Sequence, residues 1–193
     1  MNWKEQFAEI EKTFGVHAKL DWKPATALAR KVIADHPNDV EAYVRVIYLL
    51  HNIVLEEETI NSEHNYMAGL LKQYFDESQK KFSDNTEYLF FIGKILWIAE
   101  WYFGQDDDKL GMEMQKKAVE LEPNNILYEW AYRLSVKGDV VHEYLACRII
   151  TNETSIVNWL KSKGFPGEYV LEHLEVSKKR YEENTSQKLR AAD

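Results

Sequence analysis

Cysteine is nearly absent from this chain, since Cys147 is the single one among 193 residues. One cysteine cannot form an internal disulfide, and this usage favours a reducing compartment. The longest apolar stretch, residues 88–98, is interrupted by Gly93 and Lys94 and is too short to span a bilayer. Residues 1–5 are polar and acidic and do not resemble a signal peptide. We therefore expect a cytoplasmic protein without membrane contact.

Glycine and proline are also scarce, with eight and four copies in the chain. So few turn-forming residues leave little room for the many hairpins of an all-β protein. Hydrophobic residues make up 45% of the chain and aromatic residues 13%, which is enough to build a continuous core. Apolar positions recur at helical spacing, and no stretch shows a convincing period of two. These features predict an all-α protein.

Basic residues are outnumbered, because 24 lysines and arginines stand against 32 aspartates and glutamates, for a net charge of −8. Residues 1–100 hold 11 basic and 16 acidic residues, and residues 101–193 hold 13 and 16. The acidic excess is thus spread over both halves and argues against a nucleic-acid partner, which needs a basic surface. An acidic surface keeps a protein in solution, and it can also steer a basic protein partner into place.

Two distant segments end in the same way. One helical pattern stops at residues 36–39, His-Pro-Asn-Asp, and another stops at residues 122–125, Glu-Pro-Asn-Asn. In both places a new, aromatic-rich helical pattern follows at once. Proline cannot continue a helix but suits the first turn of the next one, so each segment is predicted to be a helix–turn–helix joint. A joint that recurs indicates a helical repeat protein.

Capping residues, glycines and the two prolines divide the chain into ten predicted helices. They are expected at about 2–13, 23–35, 39–54, 61–81, 86–103, 107–121, 125–136, 139–150, 154–162 and 168–183. The third is apolar over much of its circumference, as an inner helix of a stack should be, and the fifth is the most hydrophobic. Residues 164–167 are expected to form a turn and residues 184–193 a frayed tail.

The residues around the joints resemble the tetratricopeptide repeat, a helix pair of about 34 residues. The matching positions are Asp21, Trp22, Ala25, Pro37, Asn38, Glu41, Ala42, Tyr43, Ile92, Gly93, Ala118, Leu121, Pro123, Asn124, Asn125, Ala131, Gly138 and Asp139. The second unit lacks a proline end, and residues 140–193 match poorly. The resemblance implies one domain over 1–183. Within it, residues 1–139 are expected to form a right-handed superhelix of helix pairs, and capping helices in 140–183 are expected to shield the last pair.

The resemblance also implies a binding groove, because in this family the first helix of each pair lines the concave face. By register the groove residues are Glu41, Val44, Tyr48, His51, Glu87, Phe90, Lys94, Trp97, Asn125, Tyr128 and Tyr132. Within each helix they lie three or four apart and form one stripe, so they predict an aromatic groove with an acidic edge. The alternative is that these rings are core residues. Lys94 is the one lysine in the set, which favours a basic or mixed partner surface over an acidic peptide.

Motifs for catalysis or metal binding are weak. Cys147 follows His142 by five residues, where a zinc protease helix needs a second histidine at four. Residues 106–108 are aspartates like those of a calcium loop, but Leu110 replaces a ligand and Lys117 stands where the closing glutamate belongs. Helix capping accounts for these aspartates. The sequence contains neither a glycine-rich phosphate loop nor a nucleophile elbow, so we expect no enzyme activity, cofactor or metal.

The leading interpretation is a non-enzymatic module that holds one protein partner in a preformed groove. One version is an immunity protein or antitoxin that neutralises a basic toxin, because such proteins are small and acidic and associate rapidly. A second version is an adaptor or assembly chaperone in a larger complex. A sensor that binds a peptide or small ligand in the groove is a separate class. All three interpretations place binding in the groove and involve no catalysed reaction.

Overall fold

A computed structural model describes residues 2–12, 22–56 and 60–190, which form ten α-helices, one 3₁₀ helix and no strand. The helices are α1 (Trp3–Glu11), α2 (Trp22–Asp35), α3 (Val40–Glu56), α4 (Asn61–Phe82), α5 (Thr86–Ala99), α6 (Lys109–Leu121), α7 (Ile126–Ser135), α8 (Val141–Asn152), α9 (Thr154–Ser162) and α10 (Phe165–Arg190), and the 3₁₀ helix is Glu100–Phe103. The predicted all-α fold is confirmed for these residues. None of their helices is both long and apolar enough to cross a membrane.

The two proline joints end and begin helices as predicted. After Pro37, the Asp39 carboxylate accepts hydrogen bonds from two backbone N–H groups in the first turn of α3, at 2.9 and 3.3 Å. After Pro123, the Asn125 side chain caps α7 in the same way, at 3.1 and 3.4 Å. These oxygens satisfy N–H groups that the first turn of a helix leaves without partners. Each joint therefore places the start of a new helix directly beyond its proline.

An inner layer formed by α3, α5 and α7 holds the core. α2 contacts α3, α3 contacts α4, and each helix from α5 to α7 contacts the next. In addition α3 contacts α5, and α5 contacts α7. Alternate helices therefore lie side by side, and every position in 42–51 of α3 and in 88–96 of α5 is buried. This burial agrees with the expectation that the third helix is an inner helix, and it shows that α5 is buried in the same way.

α5 and α6 cross at two glycines. A Cβ atom on Gly111 would lie 2.8 Å from the backbone nitrogen of Trp97, and one on Gly93 would lie 3.0 Å from the carbonyl oxygen of Gly111. Any larger residue would collide with backbone, so glycine permits the close approach. This contact is the most extensive between two helices in the described part of the chain.

The last two helices fold back over the inner layer, since α10 contacts both α8 and α3. α10 begins at Phe165, before its predicted start at residue 168. Pro166 explains the difference, because the first turn of a helix does not need the N–H that proline lacks. α10 continues to Arg190, so the predicted frayed tail is wrong for residues 184–190, and residues 191–193 lie outside the described residues.

Other helix bounds differ from the prediction by a few residues. The predicted end of the fifth helix, residues 100–103, forms the 3₁₀ helix instead. α1 ends at Glu11. Its predicted end at residue 13 and the repeat position Asp21 both lie outside the described residues.

Candidate partner-binding site

The predicted groove is covered by the chain's own C-terminal helices. The ring of Tyr48 on α3 lies 6.3 Å from that of Phe165 and 5.8 Å from that of Tyr169, centroid to centroid. Phe91 on α5 stacks on Trp159 of α9, with centroids 5.6 Å apart and an angle of 26° between the rings. We call the covered residues the inner face: Glu41, Tyr48, Glu87, Phe90 and Phe91. Their rings form part of the core rather than an open wall.

A lysine closes the polar edge of the inner face. Lys163, between α9 and α10, donates to Glu41 at 3.3 Å and to Glu87 at 2.7 Å. Lys4 of α1 lies 2.7 Å from Glu41. Burial alone would raise the pKa of Glu41, but the hydrogen bonds and charges of Lys4 and Lys163 outweigh it and lower that pKa. The predicted acidic edge is therefore already paired within the chain.

Replacing Lys163 with methionine is expected to destabilise the fold by about 1–3 kcal/mol, because Glu87 loses its ion pair in a partly buried position. Urea denaturation followed by circular dichroism measures the change. Lys161→Met is the matched control, since Lys161 is exposed at the end of α9, two residues before Lys163, and its loss should cost less than about 0.5 kcal/mol. Equal stability of the two variants would show that Lys163 does not hold α9 against the inner face.

Six of the eleven predicted groove residues are buried: Val44, Tyr48, His51, Phe90, Lys94 and Tyr128. The prediction of an open groove along α3 and α5 is therefore wrong. The capping helices were expected to shield only the last helix pair, and instead they cover the inner face. The other five remain partly exposed: Glu41, Glu87, Trp97, Asn125 and Tyr132.

Three of the six buried residues, Tyr48, His51 and Tyr128, are polar side chains that pack among rings. One of them, His51, has a buried Nε2 without a hydrogen-bond partner among the described residues. The Tyr48 hydroxyl donates to a backbone carbonyl of α5 at 2.9 Å, and burial raises its pKa well above the ordinary value. His51 stacks on Phe103 at 5.7 Å, and burial lowers its pKa to about 4. Tyr128 lies 5.2 Å from Phe90, and burial raises its pKa to about 12. These are the environments of core residues.

An open cleft remains where the inner helices begin. Its two parts, of about 800 and 450 Å³, share Asn125, Ser155 and Ile156. The cleft lies between the first turns of α5 and α7, the second proline joint and α9. We call it the helix-end cleft, and its polar lining includes Thr86, Glu87, Glu122, Asn125, Glu129 and Glu153. Three predicted groove residues therefore line an open surface: Glu87, Asn125 and Tyr128.

Acidic side chains predominate in the lining of the helix-end cleft, and three of them are paired within the chain: Glu87 with Lys163, Glu129 with Arg133 and Glu153 with Arg148. Four carboxylates and one guanidinium line it: Glu87, Glu122, Glu129, Glu153 and Arg148. Arg148 lies 4.0 Å from Glu153. Glu122 is held by neutral donors, the Thr86 hydroxyl at 2.5 Å and the Asn125 amide at 3.1 Å. These hydrogen bonds fix the orientation of the Glu122 carboxylate, and its negative charge remains available to pair with a cation of a partner.

Apolar side chains lie among these charges. Ile126, Leu127, Ile156 and Trp159 line the same two parts of the cleft. An apolar centre within a polar rim is the usual composition of a protein-binding surface. Ile156 and Trp159 are not among the predicted groove residues, because the sequence places their helix in the cap. The joint at residues 122–125 was the one local signal for this site.

A second exposed surface joins the start of α8 to the end of α10. It has a volume of about 650 Å³ and includes Val140, Val141, Tyr144 and Tyr181. Val140 is 68% exposed. The rings of Tyr144 and Tyr181 are in contact, with centroids 5.8 Å apart. This surface is more apolar than the helix-end cleft and carries fewer fixed charges.

No group of three or more His, Cys, Asp or Glu among the described residues could hold a metal ion. Cys147 is half-buried, and burial lowers the pKa of the buried His142. Asp107 accepts a hydrogen bond from the backbone N–H of Lys109 at 3.1 Å, in the first turn of α6. The residue at the N-cap of α6 itself, Asp108, makes no side-chain capping hydrogen bond, so capping accounts for these aspartates only in part.

Comparison with known proteins gives no assignment. No model of a protein family matches the chain, and no curated protein and no solved structure matches it significantly.

Proposed function

We propose that this chain is a non-enzymatic protein-binding module that holds its partner at the helix-end cleft. The observation that carries the proposal is the Glu122 carboxylate, which neutral donors hold in place in the polar lining of an open, partly apolar cleft. In this view residues 1–139 are tetratricopeptide-like helix pairs. The helices that follow act as a cap that also covers the inner face.

The partner segment that fits best is basic and amphipathic. Its apolar side chains would pack on Ile156 and Trp159, and a lysine or arginine would pair with Glu122. The net charge of −8 supports this choice, because it speeds the approach of a positively charged protein. Binding is therefore expected to weaken as salt screens these charges.

The biological role proposed first is that of a cytoplasmic immunity protein or antitoxin, which blocks a basic toxin by covering its charged surface. An adaptor or assembly chaperone would use the same cleft for a subunit of a larger complex. Both roles need shape and charge complementarity and no chemical step. They differ in the partner, so partner identification separates them.

Reversing two charges in the cleft is expected to weaken partner binding roughly tenfold or more. The variant is Glu122→Lys with Glu129→Lys, and quantitative mass spectrometry compares the proteins that it and the wild type retain from host extract at low salt. Titration calorimetry with the purified partner then gives the affinities.

The matched control reverses two exposed or partly exposed carboxylates elsewhere, Asp76→Lys on α4 and Glu113→Lys on α6. It changes the net charge by the same amount and should leave binding within about twofold of wild type. If both double variants lose the partner equally, general charge rather than the helix-end cleft explains the binding. If neither loses it, the partner binds elsewhere.

A further inference from the structure

One lysine of the chain lies in the core without a counter-charge. Lys94 on α5 is 1% exposed, and its Nζ has no hydrogen-bond partner among the described residues. The ammonium position lies over two indole rings, 4.9 Å from the centroid of Trp97 and 5.3 Å from that of Trp130. Aromatic faces attract a cation, but they provide no acceptor for its protons.

Further polar atoms without partners lie on the helices around Lys94. Trp130 Nε1 on α7 and His142 Nδ1 on α8 are buried and make no hydrogen bond with the described residues. Burial, together with a smaller effect of the Lys94 charge, lowers the pKa of His173 on α10 to about 4. Burial also lowers the pKa of His142, where the charges of Lys94 and Arg180 act against those of Glu143 and Asp139. Lys94 thus lies against the ring of one such group, Trp130, and its charge acts on His142 and His173.

The state of Lys94 follows from its surroundings. Burial lowers its pKa to about 7. At mildly alkaline pH most folded molecules therefore carry an uncharged amine with a free lone pair, which is a nucleophile. Exposed lysines stay protonated in the same buffer, because their ordinary pKa is about 10.4. The chemistry of Lys94 is consequently distinct from that of the surface lysines.

We infer that Lys94 is a carbamate-forming site that reacts with carbon dioxide. The clefts described above do not include Lys94, so a reagent must be small and uncharged to reach it, and carbon dioxide is both. Trp97 is half-buried, so the group formed by Lys94 and the two indole rings lies one side chain below the surface. In the reaction the Nζ lone pair forms a bond to the carbon, and one C=O electron pair moves to its oxygen.

The proton released by nitrogen passes to His142, whose pKa rises in the product because a carbamate anion replaces the Lys94 charge that lowers it. The products are a carbamate and an imidazolium. The pair is neutral overall, which limits the cost of burying the new anion. A carbamate oxygen accepts from the indole N–H of Trp130, and His142 Nδ1 gains a partner of opposite charge. The reaction thereby provides partners for three buried groups that have none among the described residues.

Carbon-13 NMR of the protein labelled with ¹⁵N-lysine and equilibrated with ¹³C-bicarbonate at mildly alkaline pH tests this inference. The expected result is a carbamate carbon that shows one-bond coupling to a lysine nitrogen in the wild type. The resonance should be lost in Lys94→Met and retained in Lys178→Met, which removes a lysine at the surface of α10. Trp130→Phe should lower its intensity at least twofold, because the indole N–H is missing.

Two results would overturn the inference. One is a wild-type spectrum without a carbamate carbon coupled to lysine nitrogen, a measurement that needs no substitution. The other is the same resonance in a Lys94→Met protein whose circular dichroism shows the native helix content, because the carbamate would then lie on another amine.

Discussion

Lys94→Met is expected to raise the free energy of unfolding at pH 7 by about 2–4 kcal/mol. The wild type must either bury an ammonium group without a carboxylate or give up its proton, and both cost free energy. Methionine keeps a flexible chain of similar length and carries neither charge nor N–H groups. The expected increase in the free energy of unfolding equals the free energy that the lowered pKa of Lys94 costs the wild type. It is reduced by the loss of the cation–π contacts with Trp97 and Trp130, which methionine cannot make.

The same substitution should remove a dependence of stability on pH. Burial lowers the pKa of Lys94 to about 7 from an ordinary 10.5. Between these values the unfolded chain holds a proton on Lys94 that the folded chain lacks, so wild-type stability rises with pH. In Lys94→Met that rise should be absent. Above pH 10 the slope reverses, because burial raises the pKa of Tyr48 and the folded chain then holds the extra proton.

Urea denaturation between pH 7 and about 9.5, in buffers freed of carbon dioxide, measures both effects. Lys178→Met is the control and should follow the wild-type curve, because Lys178 lies at the surface of α10 with exposed glutamates nearby. Parallel curves for wild type and Lys94→Met would mean that Lys94 keeps its ordinary pKa in the folded protein.

The helix joints were predictable because capping is local. Pro37 and Pro123 are each followed within two residues by a side chain that accepts from the next helix, and this pattern is visible in the sequence. The ends of the last helix were not predictable in the same way. A Gly-Phe-Pro-Gly segment is typical of a turn, yet only Gly164 lies outside α10, where its φ of 63° suits glycine.

The position of the cap was beyond the reach of local patterns. Lys163 pairs with Glu41 across 122 residues of sequence, and nothing near either residue indicates the other. The register of α3 and α5 places Tyr48 and Phe90 in one stripe, and in the structure each of them packs against a capping helix, Tyr48 against α10 and Phe90 against α9. A stripe that faces a partner and a stripe that faces another helix of the same chain have the same spacing. Burial in the structure was needed to tell them apart.

Gly167→Ala is expected to destabilise the protein by about 3–5 kcal/mol. A Cβ atom at this position would lie 1.8 Å from the carbonyl oxygen of Leu160. That oxygen belongs to the backbone of α9 and cannot rotate away, so α9 and α10 must move apart. Trp159 and Lys163 then leave the inner face, and Phe91 loses its stacked ring.

Gly69→Ala is the matched control for this change, because a Cβ atom at Gly69 on α4 would meet nothing within 4 Å. Alanine favours a helix, so this variant should be more stable than wild type by about 0.5–1 kcal/mol. Urea midpoints compare the two, and hydrogen exchange of α3 and α5 shows whether Gly167→Ala uncovers the inner face before the whole chain unfolds. Equal midpoints would contradict the packing of α9 on α10. Exchange confined to the inner face would mean that the cap opens as a unit, whereas loss of protection throughout would mean that cap and inner layer form one cooperative core.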